Sequence, residues 1–149
     1  MSMLSQSTIS SKISISGVGV HTGKKVNINI LPSSPNSGII FKRIDLNQNN
    51  IVIPNFENVS DATLCTTISN QYGVKVSTIE HLMAAFLGLG IDNAIVEVDS
   101  QEIPILDGSA KDYVNILKKT GKKYSDIPIK IIRINNHIEL KDGNKFISI

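Results

Sequence analysis

The chain has 149 residues, 41% hydrophobic and 19% charged, with a formal net charge of +2. That length supports one domain, or one domain and part of another, of ordinary globular composition. So small a charge, with no basic run carrying interleaved aromatics, argues against nucleic acid as a partner.

Twenty-five isoleucines tilt the chain towards sheet. Its one cysteine, Cys65, rules out an internal disulfide framework and fits a reducing compartment. No apolar run approaches the roughly 18 residues of a membrane span. The first residues lack the charged and apolar regions of a secretory signal, so a cytoplasmic protein with no membrane span is expected.

Residues 1–11 are polar and are expected to be frayed. Ile13 and Ile15 alternate with serines as a strand that enters Gly17-Val18-Gly19-Val20-His21-Thr22-Gly23. Those glycines have the wrong spacing for a dinucleotide fingerprint, and the next segment is a strand. Val26, Ile28 and Ile30 alternate with polar residues, so the glycine-rich piece reads as a hairpin bend carrying His21. Residues 32–38 are loop, 39–44 a strand, and a short strand ends at Pro54. Residues 63–68 look strand-like, and 70–73 make a turn into Val74-Lys75-Val76.

A helix is expected next. Ser77 and Glu80 have the spacing of a capping box. Ile79, Leu82, Met83, Phe86 and Leu87 form an apolar stripe, and Gly88 and Gly90 end it. His81 falls nearly opposite that stripe, beside the small residues Thr78, Ala85 and Gly88. The positive end of a helix disfavours imidazolium and favours carboxylate. A Glu80–His81 pair there suits a metal ligand beside a general base. A capping glutamate and a surface histidine account for the same two residues. A zincin helix carries two histidines four apart, whereas Ala85 stands four beyond His81, so this helix supplies at most one ligand.

Residues 94–98 read as a buried strand, and the loop from Ile103 to Ser109 launches a second helix. Ser109 and Asp112 repeat the capping spacing, and Tyr113, Val114 and Leu117 give an apolar face. Gly121 stops this helix. Residues 122–128 look like a polar linker between a first domain over 12–121 and opening strands over 129–149. Asp142-Gly143 signals a hairpin. The alternation continues to the last residue, which implies the front part of a longer protein.

Five motifs, in order, carry a family resemblance. They are Gly17–Gly23, Thr63-Leu64-Cys65-Thr66, Ser77-Thr78-Ile79-Glu80-His81-Leu82, Gly88-Leu89-Gly90-Ile91-Asp92-Asn93 and Ile103-Pro104-Ile105-Leu106-Asp107-Gly108-Ser109-Ala110. Together they closely resemble UDP-3-O-acyl-N-acetylglucosamine deacetylase, the zinc amidase of lipid A synthesis in Gram-negative bacteria.

The resemblance implies an α+β fold: an antiparallel sheet with two helices packed on one face, one half of a two-domain sandwich. It implies His81 as a zinc ligand and Glu80 as general base, with the remaining ligands in a second domain. Leu64, Cys65 and Lys145 match positions near the substrate, a UDP-3-O-acyl-N-acetylglucosamine that loses acetate. His21, Thr78 and Asp107 match supporting positions. The 149 residues alone are then expected to be inactive, and to self-associate through an exposed helix face or sheet edge. A non-catalytic binding or assembly module that retains the fold is the alternative.

Overall fold

The computed structural model describes residues 5–149. In chain order its strands and helices are β1 Ser5–Ile9, β2 Ile13–Val18, β3 Lys25–Pro32, β4 Ile39–Arg43, β5 Ile51–Val52, β6 Val59–Asp61, β7 Thr67–Ser69, β8 Lys75–Val76, α1 Glu80–Leu89, β9 Ala94–Val98, α2 Lys111–Thr120, β10 Lys122–Pro128, β11 Glu139–Asp142 and β12 Lys145–Ser148.

Alternation builds the central sheet, whose order is β2-β3-β9-β4-β5. Ile13 and Ile15 of β2 stand opposite Ile30 and Ile28 of β3, and those two stand opposite Val96 and Val98 of β9. All are buried, because period-two spacing sends every second side chain to the same face. The opposite face is polar. Ser14 donates to Asn29 at 2.8 Å, Ser16 to Asn27 at 2.7 Å, and Lys42 pairs with Glu97 at 3.6 Å. A sheet with one apolar face needs one covering layer. Leu82, Ala85 and Phe86 of α1, with Tyr113 and Leu117 of α2, complete a single apolar cluster with it. The fold is α+β, as expected. The sheet is mixed, since β4 runs parallel to β9.

The ends of the expected first domain differ from the sequence reading. Residues 1–4 lie outside the described residues, but Ser5–Ile9 is a strand and not a frayed end. Ile9 is fully buried, and the polar residues before it find partners in the Asp92-Asn93 turn. Ser7 N–H donates to Asp92 Oδ2 at 2.7 Å, and Asn93 Nδ2 donates to Gln6 Oε1 at 3.0 Å. Long-range bonds of this kind are invisible to composition.

Lys122–Pro128 is likewise a strand and not a linker, antiparallel to β1 with Ile9 opposite Lys122 and Ser7 opposite Tyr124. Lys122 Nζ also donates to Leu89 O at 2.6 Å, closing the C-terminal end of α1.

Other local expectations shift. Of the stretch 63–68 only Thr67 and Ile68 join a strand, β7, in the small sheet β6-β7-β8. Residues 129–134 are irregular despite their isoleucines. The last hairpin forms as expected, with Asp142 opposite Lys145 and the turn moved one residue on, to Gly143-Asn144.

Candidate functional site at the start of the first helix

Helix α1 begins differently from the capping-box pattern. Ser77 is bridged beside Glu102: its N–H donates to Gln101 O at 2.9 Å, and its C=O accepts from Ile103 N–H at 3.1 Å. Its hydroxyl donates to Gln101 O at 3.0 Å and accepts no N–H from the first turn of the helix. Thr78 then takes a φ of +60°, a left-handed conformation that is unusual for a β-branched residue. The chain turns there, and the helix opens from Ile79 with no side-chain cap. Glu80 points away from Ser77. Its Oε2 accepts the N–H of Thr66 at 3.0 Å, which joins the helix start to the segment carrying Leu64 and Cys65.

The burial of α1 also departs from the expected stripe. Leu82, Ala85 and Phe86 are buried, whereas Leu87 is 84% exposed. The centre of the buried arc has moved towards Ala85, which sequence spacing had placed on the outer face. Thr78 is buried as well, so of the three small neighbours assigned to His81 only Gly88 is exposed. His81 itself is half-buried, and Ala84 is exposed one turn along. Gly90, with φ +62°, ends the helix.

Glu102 is a residue that sequence reasoning passed over. Its side chain is fully buried, directly before the apolar run Ile103-Pro104-Ile105. One oxygen, Oε1, accepts both the N–H of His21 at 2.9 Å and the hydroxyl of Thr78 at 3.0 Å. The other, Oε2, accepts the N–H of Thr22 at 2.8 Å. Burial alone pushes this carboxyl upwards; bonds from the His21 N–H, the Thr22 hydroxyl and N–H, and the Thr78 hydroxyl outweigh that and hold it below the usual glutamate value.

One glycine of the bend, Gly19, is required by this carboxylate. A Cβ on Gly19 would stand 2.3 Å from Glu102 Oε2 and 2.5 Å from Thr22 Oγ1. The sequence signal for it was a lone acidic residue beside an apolar run, in the same chain as a loop with bare backbone N–H groups.

The other expected site residues are spread out. Leu64 is 82% exposed, and Cys65 is half-buried with its sulfur 3.7 Å from Thr67 Oγ1. Both precede Thr66, whose N–H is bonded to Glu80. The His21 side chain is exposed, while its backbone is held on Glu102. Asp107 makes a local turn, accepting the N–H and hydroxyl of Ser109 at 3.0 Å each. Lys145 is exposed at the start of β12. Among the described residues, no group of three or more His, Cys, Asp or Glu side chains is placed to hold a metal ion.

Fold and site thus define an α+β protein in which a carboxylate and an imidazole share the first turn of a helix braced on two sides. Residues 6–149 match the family LpxC, UDP-3-O-acyl N-acetylglycosamine deacetylase, and the chain belongs to that family. It is 44% identical over 147 residues to the UDP-3-O-acyl-N-acetylglucosamine deacetylase of Actinobacillus succinogenes, covering 99% of this chain and 48% of that protein. It is 42% identical over 144 residues to the protein of that name from Haemophilus influenzae (strain PittEE), covering 97% and 47% respectively. The chain therefore spans about half the length of the curated relatives it matches. No helix among the described residues is long and apolar enough to cross a membrane.

Proposed function

We propose that this chain supplies one wall of the active site of a zinc-dependent deacetylase that releases acetate from UDP-3-O-acyl-N-acetylglucosamine, in lipid A synthesis in the cytoplasm. The observation that carries the reading is the Glu80–His81 pair at a braced helix start in a member of this family. The donors among the described residues do not complete a zinc site, so His81 is assigned as one ligand and the others to protein outside these residues. Zinc, when bound, supplies a Lewis acid for an amide carbonyl. Glu80 holds and moves the proton. Its Oε2 is engaged by Thr66 N–H, which fixes the carboxylate and leaves Oε1 as the basic atom. Leu64, Cys65 and Lys145 are assigned to substrate, and His21, Thr78 and Asp107 to support.

The division into a first domain and a further unit from 129 belongs to the same reading. So does self-association of these residues alone through the exposed Ala84, Leu87 and Gly88 face of α1, which light scattering would report.

The test is acetate release by the full-length enzyme with stoichiometric zinc, and its loss on chelation. Glu80→Gln keeps an acceptor for Thr66 and removes the base. It should lower kcat by roughly 100- to 10,000-fold with zinc retained. Full activity without metal, or an unchanged kcat in Glu80→Gln, would overturn the proposal.

A further inference from the structure

We infer that Glu102 is a positioning residue: its buried carboxylate ties the His21 loop to the Thr78 bend and thereby sets where Glu80 and His81 stand.

Three observations converge on it. First, Oε1 is shared by two segments that are far apart in sequence, the His21 N–H and the Thr78 hydroxyl. Second, Thr78 is held in a left-handed conformation that costs about 1–3 kcal/mol in a non-glycine residue, so something must over-determine it. The Glu102 bond and the Ser77 bridge to the 101–103 segment are what the structure provides. Third, the bend leads into the helix with only Ile79 between Thr78 and Glu80, so a rotation at Thr78 is transmitted directly to both functional side chains.

A buried carboxylate with all its bonds made is rigid; one with a partner removed leaves unpaired donors that pull the loop open. Gly19 shows how close this packing is, because even a methyl group there would strike the carboxylate. Together with the Ser77 bridge, the carboxylate fixes the angle of the bend.

The kinetic arm of the test rests on the deacetylase reading; the spectroscopic arm does not. Glu102→Gln retains the shape but sets an NH₂ group against backbone N–H donors. Thr78→Val removes only the hydroxyl, and Thr78→Ser restores it. The expected result is a fall in kcat on the order of 10- to 100-fold in the first two variants, with KM little changed and recovery in Thr78→Ser. NMR should show the Thr66 amide and the His81 ring resonances moving in Glu102→Gln and Thr78→Val, and returning in Thr78→Ser. If the full-length wild-type enzyme fails to deacetylate the nucleotide sugar, the proposed function falls and the resonances alone decide the inference. If Glu102→Gln does not fold, the Thr78→Val and Thr78→Ser pair decides it. Movement confined to His21 and Thr22, with Thr66 and His81 unmoved and kcat intact, would overturn the inference.

Discussion

The starts of the two helices look alike in sequence and are built differently. Each helix has ten residues and a Ser-x-x-acid spacing at its start, yet each opens from a residue with no side-chain cap, Ile79 in one case and Ala110 in the other. At α2 the serine stays local: Asp107, two residues before it, holds Ser109, and the Ser109 hydroxyl accepts the N–H of Lys111 at 3.1 Å. At α1 the side-chain bonds reach across the fold, from Thr78 to Glu102 and from Thr66 to Glu80. A local turn needs only to start a helix. A frame of distant groups fixes the angle at which the first turn is presented, which is what a site requires of its scaffold.

The largest effect should come from a glycine beside that frame. Gly19→Ala drives a methyl group into the Glu102 carboxylate and should cost about 3 kcal/mol or more, since neither the buried charge nor its donors can yield cheaply. The matching change at the other helix is Gly108→Ala. It meets open space and pays only for its φ of +78°, about 1–2 kcal/mol. Urea unfolding of both variants checks the ordering; equal losses would break the distinction between the two loops.

The two helix starts should also separate by pH. The folded pKa of Glu102 lies below its ordinary 4.5, so its contribution is fully present above that value and is lost as pH falls below it. Asp45, held low by Arg43, and Asp61, held low by Thr63, add to the same acid arm. Tyr113 of α2 behaves oppositely. Burial raises its phenol well above the ordinary 10.0, and its hydroxyl donates to Pro104 O. Its contribution is full below 10.0 and is lost as pH rises past it. Melting curves from pH 3 to 11 should therefore show Glu102→Gln flattening only the acid arm and Tyr113→Phe only the alkaline arm.

Legibility in the sequence tracks the range of the interactions. The hairpin of β2 and β3, the strand β9, both helices and the Gly90 stop were legible because period and turn chemistry are local. Glu80 and His81 stood out for the same reason, as a charge and an imidazole at a recognisable helix start. The strands β1 and β10 were missed because their sequences are polar; they are held by Gln6, Ser7, Asp92 and Asn93 across the chain. The outer face of α1 was misjudged at Ala85 and Leu87 because α2 and the sheet choose which side is covered. Glu102 was missed because an acidic residue beside an apolar run is a weak local signal, and its donors lie 80 and 24 residues away.

The smallest predicted effect bears on the serines that sequence spacing had marked as caps. Ser109→Ala removes an acceptor for Lys111 N–H and a donor to Asp107, in a loop open to solvent, and should cost about 0.5–1 kcal/mol. Ser77→Ala removes only an exposed bond to Gln101 O, because the backbone of Ser77 already makes the bridge to the 101–103 segment. Its cost should be about 0.5 kcal/mol or less. A capping box would reverse this order. Ser77→Ala would then strip a donor's partner from the first turn of α1 and cost about 1 kcal/mol, with Glu80→Ala costing a similar amount through the same pair of bonds. Thermal melts of Ser77→Ala, Ser109→Ala and Glu80→Ala separate the two cases. If Ser77→Ala proves the more damaging serine change, the helix start in solution is the capped one, and the claim that Glu80 is held by Thr66 for chemistry fails with it.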